Sequence, residues 1–185
     1  MKKGKLFIIS SVAGGGKSTL IGMILKNHPE CKFSVSVTSR NPRPGDVSGV
    51  TYRFVSKEEF ESLIEKDSFF EWAVVHGNYY GTPKDFIFES LQNGSNVILD
   101  IDVQGASTIR KKLPECVSIF ILPPDSDTWV RRLKDRATDK PEDIERRIKN
   151  GEMELKLSEN FDYRVINKDL QTAYSELEKI IFKDN

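Results

Sequence analysis

Four short apolar runs punctuate the chain: KLFII (5–9), NVILDI (96–101), VSIFIL (117–122) and YRVIN (163–167). Each is rich in Ile or Val and lacks polar alternation, the pattern of strands buried on both faces. A fifth run, FSVSV (33–37), is more polar. Between these runs the apolar spacing lengthens to that of helices. In KSTLIGMILKNH the pairs Leu20/Ile24 and Ile21/Leu25 share a face, and Pro29 ends the segment. SKEEFESLIEK opens on Ser56 with Glu59 three residues later, a capping box. TPKDFIFESLQNG offers Thr82 as cap, Pro83 in the first turn and Gly94 as stop. DLQTAYSELEKIIF places Leu170, Ala173, Tyr174, Leu177 and Ile181 on one stripe. Strands alternating with helices predict an α/β fold with a parallel sheet covered on both faces.

Two regions break this rhythm. Residues 34–81 are loop-rich and aromatic, and residues 126–160 are almost entirely charged helix. Both read as insertions that build no core of their own. The chain therefore divides into a core (1–33, 82–125 and 161–185), one insertion at 34–81 and a second at 126–160.

Charge narrows the function classes. Lys and Arg balance Asp and Glu at 28 each, which argues against a domain devoted to coating nucleic acid or an acidic membrane. The basic start is followed by too short an apolar run for a signal peptide, and no stretch approaches the ~20 apolar residues of a membrane span. Cys31 and Cys116 fit no metal-ligand spacing and read as free thiols of a reducing compartment. A cytoplasmic protein is expected.

The chemistry begins at SSVAGGGKST (10–19), which approaches the phosphate-loop pattern Gly-x-x-x-x-Gly-Lys-Ser/Thr except that Ser11 stands at the first glycine position. A strand precedes the loop and a helix opens at the lysine. Gly14, Gly15 and Gly16 can aim backbone N–H groups inward, and Lys17 can reach the terminal phosphates of a nucleotide. Ser18 and Thr19 follow at the helix start, the Ser18 hydroxyl being suited to Mg²⁺. The alternative is a glycine-rich turn with a solvated lysine. A GTPase is disfavoured because NKDL (167–170) has leucine where the guanine-reading aspartate belongs. A helicase-type ATPase is disfavoured because Asp100 and Asp102 are split by Ile101.

Together with the glycine loop and RRLKDRAT…ERR, the stretches FSVSVTSRNPRPGDVSGVTYRFVS, FFEWAVVHGNYYGTP and VILDIDVQG closely resemble guanylate kinases over nearly the whole chain. The resemblance implies a five-stranded parallel sheet flanked by helices, with 34–81 as a GMP-binding insertion and 126–160 as a helical lid. It implies transfer of a phosphoryl group from ATP to GMP, and to dGMP, with Mg²⁺. Arg40 and Arg43 match the arginines that grip the GMP phosphate, which planar guanidinium groups do bidentately. Tyr52 and Tyr80 match tyrosines completing that pocket. Glu71 and Asp102 match the acceptors for guanine N1–H and its exocyclic amine, and Ser36 and Thr82 the hydroxyl contacts to the base. Asp100 matches the carboxylate that orients the waters of Mg²⁺ opposite Ser18. Arg132, Arg136 and Arg147 match lid arginines that neutralise the transferring group beside Lys17, and Asn167 matches a residue near the adenine. Trp72, Phe69 and Phe70 read as core. His28 and His76 show no catalytic pairing, and none is needed, because a phosphate acceptor is already ionised near neutral pH.

The chain departs from that pattern at Ser11, Val12 and Ala13, where Gly-Pro-Ser is common, and at Ala137, where the lid often has glycine. The first departure bears on loop rigidity and ATP affinity, the second on lid bending. The rival class is a guanylate-kinase-like binding module that has lost catalysis; retention of Lys17 and the lid arginines argues against it. The expected partners are ATP and GMP, with no nucleic acid or membrane, in a monomer or homodimer.

Overall fold

In chain order the elements are β1 (Leu6–Ser11), α1 (Lys17–Asn27), β2 (Lys32–Ser34), β3 (Val37–Thr38), β4 (Arg53–Phe54), α2 (Lys57–Glu65), β5 (Phe69–Val75) and β6 (Asn78–Pro83). They continue with α3 (Lys84–Gln92), β7 (Val97–Asp100), α4 (Val103–Lys112), β8 (Val117–Leu122), α5 (Ser126–Lys134), α6 (Pro141–Leu157), β9 (Tyr163–Ile166) and α7 (Leu170–Phe182). This computed structural model describes residues 3–75, 77–134 and 141–183.

The core sheet has five strands in the order β2-β7-β1-β8-β9. Every pairing in it is parallel. Alternate side chains of a strand point to opposite faces, so central β1 feeds two cores. Phe7 and Ile9 pack with Leu20 and Ile24 of α1 and Leu177 and Ile181 of α7. Leu6 and Ile8 pack with Ile87 and Leu91 of α3 and Ala106 and Ile109 of α4. The continuous apolar reading holds for β1, β7 and β8 but not for β9, where only Val165 is buried. As the edge strand, β9 leaves Tyr163 and Ile166 exposed.

The run read as one strand at 33–37 is two. Ser34 ends β2 in the core sheet, and Val37 begins β3 in a second sheet of order β4-β3-β6-β5. The chain leaves the core between them, which carries Ser36 to the junction of the two sheets. Contrary to expectation, the insertion does build a small core. Phe60 of α2 stacks on Phe69 at 4.6 Å and on Tyr79 at 5.0 Å, with Val37, Val55, Leu63 and Ile64 around them. Stacked rings bury enough area per residue to replace the long apolar runs that the segment lacks.

Three further details differ from the sequence reading. Thr82 does not cap α3; it lies in β6, and Pro83 is the cap residue. Leu170 is exposed at the start of α7, off the buried stripe. Helix α4 was not anticipated, although its signals are present. The Asp102 side chain accepts from the Gly105 amide at 2.8 Å, and Val103, Ala106 and Ile109 are buried at helical spacing.

Candidate functional site

β1 delivers the chain into the glycine loop, and α1 starts where the loop ends. Gly14 and Gly16 have φ of 81° and 91°, the left-handed region that glycine enters without strain. Space also demands glycine: a Cβ on Gly15 would lie 2.0 Å from Ser11 Oγ, and one on Gly16 2.2 Å from Asn167 Nδ2. Three side chains hold the loop's carbonyls. Ser11 Oγ donates to Val12 O at 2.9 Å, Asn167 Nδ2 to Gly15 O at 2.9 Å, and Trp129 Nε1 to Ala13 O at 2.9 Å. Ser11 therefore replaces a glycine without taking a positive φ, since Asp67 is the sole non-glycine with one among the described residues. Asn167 is 6% exposed and commits its amide to the Gly15 carbonyl of the loop.

The α1 N-terminus has no side-chain cap and no acidic residue in its first turn. Its amides are left to a ligand, with Ser18 and Thr19 exposed there. The Lys17 ammonium is ion-paired with the Asp100 carboxylate at the end of β7.

From Lys17 a cleft of about 510 Å³ opens toward the second sheet. It gathers Ser36, Tyr52, Glu71, Tyr80, Thr82, Asp100 and Asp102, drawn from both sheets and the head of α4. Glu71 Oε1 accepts from Thr82 Oγ1 at 2.8 Å. Burial pushes the Glu71 carboxyl up, Thr82 pulls it back, and the nearby Asp102 charge raises it further. Burial also raises the Tyr52 phenol.

Arg40 and Arg43 are not among the residues that line the cleft, although Arg40 packs on Tyr52, which does. Arg40 donates to Asp46 Oδ2 at 2.9 Å and lies 5.4 Å over the Tyr52 ring. Tyr52 meets Tyr80 edge-on at 5.9 Å. The exposed Arg43 gives its backbone amide to the same Asp46 oxygen at 2.7 Å. The Arg43 amide, with the Arg40 guanidinium, holds the Asp46 carboxyl below the usual range. Arg132 on α5 is half-buried, and its Cβ lies 3.7 Å from the Cβ position built on Gly14. Arg147 is half-buried on α6. Arg136 and His76 lie outside the described residues.

Phe69 and Phe70 are core as expected, but Trp72 is not. It is 45% exposed, lines the cleft and meets Tyr79 edge-on at 5.8 Å. Gln104 and Thr108 of α4 also line the cleft, one helical turn apart, and were missed because α4 was. Asp46 was missed too, although an acidic residue three positions after Arg43 carries a signal of charge pairing. Glu154 on α6 had no signal in its charged surroundings. Burial pushes its carboxyl up, with Asp102 adding and Lys17 opposing.

Ser18 and Asp100 offer two oxygen donors beside the loop. Among the described residues no group of three His, Cys, Asp or Glu could cage a metal. A sparse oxygen set of this kind suits Mg²⁺, which keeps waters and binds substrate phosphates rather than filling an all-protein site. Among the described residues no helix is long and apolar enough to cross a membrane.

Comparison with known proteins agrees with this geometry. A family model described as guanylate kinase matches residues 3–184. The guanylate kinase of Neisseria gonorrhoeae is 49% identical over 180 residues, covering 97% of this chain and 88% of that protein. That of Shewanella is 46% identical over 180 residues, covering 97% and 87%. The crystal structure of guanylate kinase from Anaplasma phagocytophilum aligns with a TM-score of 0.80 at 30% identity, across 100% of this chain and 87% of that one. Matched by the family model over nearly all its residues and sharing almost half of them with such relatives, the chain belongs to the guanylate kinase family.

Proposed function

We propose that the protein transfers the γ-phosphoryl group of ATP to GMP or dGMP, giving ADP and GDP or dGDP. The observation that carries this reading is one cleft running from Lys17, which follows directly on the glycine loop, to Glu71, Thr82 and Asp102. One end suits a polyphosphate and the other the N1–H and amino edge of guanine.

The ATP phosphates rest on the loop amides and the α1 N-terminus, with Lys17 exchanging its Asp100 partner for the terminal phosphates. Ser18 and Asp100 would hold Mg²⁺, which would supply neutralisation of phosphate charge there. The GMP phosphate lies between Arg40, Arg43, Tyr52 and Tyr80. Its ionised oxygen forms the new bond to the γ-phosphorus as the bond to the bridging oxygen breaks, and that oxygen leaves on ADP. No proton need be removed from the acceptor, so no general base is required. Catalysis is then mainly positioning and charge stabilisation, with Arg132, Arg136 and Arg147 serving the transferring group from a lid at 126–160. Residues 34–81 form the GMP-binding insertion in this reading. Glu71, Asp102, Ser36 and Thr82 read guanine; adenine lacks the N1–H donor and would leave a buried carboxylate unpaired.

The test is ADP formation from ATP·Mg²⁺ with GMP, dGMP, AMP, CMP and UMP in parallel. Turnover confined to guanine substrates is expected. Absence of turnover with all five, from folded protein, would overturn the enzyme reading in favour of a binding module.

A further inference from the structure

We infer that Trp129 is a positioning residue of the ATP site, an indole strut that fixes the phosphate loop against α5 and α6. Trp129 is 2% exposed in a helix otherwise dominated by charge. Its Nε1–H donates to Ala13 O at 2.9 Å, 116 positions away in sequence. Its ring belongs to a buried cluster shared by the loop residue Val12, by Leu133 of α5 and by Val103 and Phe120, with Ala13, Ile148 and Leu155 packed around it. Gly151 of α6 lets the ring approach: a Cβ there would lie 2.2 Å from Trp129 Cζ2 and 2.6 Å from Cη2.

The consequence for chemistry follows from helical spacing. Trp129, Arg132 and Leu133 lie three and four apart, on the face of α5 turned to the loop. The Cβ position built on Gly14 is 3.6 Å from Leu133 Cδ2 and 3.7 Å from Arg132 Cβ. Anchoring the indole on Ala13 O therefore also sets the base of the Arg132 side chain beside Gly14. The strut answers the question raised by Ser-Val-Ala at 11–13: a cross-chain hydrogen bond from α5 holds a loop segment that lacks a rigid proline. In a carbonyl-rich turn this bond is a constraint on loop shape as well as on packing.

This inference rests on the proposed ATP reading, and the experiment separates the two. Trp129→Phe keeps an aromatic ring beside Gly151 but removes the N–H donor. A neutral hydrogen bond of ordinary net strength predicts a KM for ATP raised about five-fold, with the KM for GMP within about two-fold of the parent. Gly151→Ala reaches the same strut without touching Trp129, since its methyl displaces the ring while favouring the helix. It is expected to raise the KM for ATP in the same selective way. An unchanged KM for ATP in folded Trp129→Phe, or equal rises for ATP and GMP in both variants, would overturn the inference. Failure of the parent protein to use ATP at all would instead overturn the functional reading on which it rests.

Discussion

In the proposed reaction, base selection turns on Glu71. Its carboxyl is buried enough to be pushed upward, yet one oxygen is fixed by the Thr82 hydroxyl. A group so placed is oriented before the substrate arrives, and hydrogen bonds to such a group are worth more than in water. Glu71→Gln keeps the shape but swaps an acceptor for a donor toward guanine N1–H. The expected result is a KM for GMP raised roughly 10- to 100-fold, with the KM for ATP nearly unchanged, as for a hydrogen bond to a charged group. In the same proposal Lys17 serves the other substrate. Lys17→Ala removes the sole positive side chain that lines the cleft among the described residues, and kcat is expected to fall on the order of 10²- to 10³-fold. Steady-state kinetics with each substrate varied in turn checks both.

At the scale of elements, the segment from β3 to β6 folds around a small core of its own, and this was the least legible part of the sequence. Long buried runs identified β1, β7 and β8 because their Ile and Val content needs no partner to be read. The second sheet is built from two-residue strands and stacked rings, which leave no period to detect. The candidate site was legible at Gly16 and Lys17 from the glycine-loop pattern, and at Glu71 and Asp102 through the resemblance to guanylate kinases. It was illegible where a residue works through tertiary contact, as at Trp129, Asp46 and Glu154. Because the insertion has its own core, its stability can be probed separately. Phe60→Ala removes a fully buried ring touching Phe69 and Tyr79, at a cost of about 3–5 kcal/mol. The expected outcome is early loss of amide exchange protection in β3, β5 and β6, and a raised KM for GMP, while β1 and β8 stay protected. Uniform loss of protection through both sheets would show that the insertion has no separate stability.

Across the whole molecule, the parallel sheet joins two apolar faces, and α1 is clasped by α7 far from the cleft. His28 at the end of α1 places Nε2 2.7 Å from Glu178, and its ring stacks on Phe182 at 4.0 Å. Glu30 lies on the other ring nitrogen at 3.3 Å, and Tyr174 bonds to the same Glu178. The hydrogen bond to Glu178 outweighs burial and raises the His28 pKa above its ordinary 6.5. A raised histidine stabilises the fold fully below that ordinary value and loses its contribution as pH rises through the folded value. The difference in Tm between the parent and His28→Gln should therefore be largest near about pH 6 and shrink toward alkaline pH. A constant difference across that range would assign His28 a packing role alone. For the cleft, the most direct measurement is the initial rate of ADP formation with GMP, IMP and AMP side by side, each at subsaturating concentration. IMP keeps the N1–H but lacks the exocyclic amine, and AMP lacks both donors. Two carboxylates reading that edge predict a graded order, GMP above IMP above AMP, whereas IMP equal to GMP, or AMP accepted as well as either, would contradict the account.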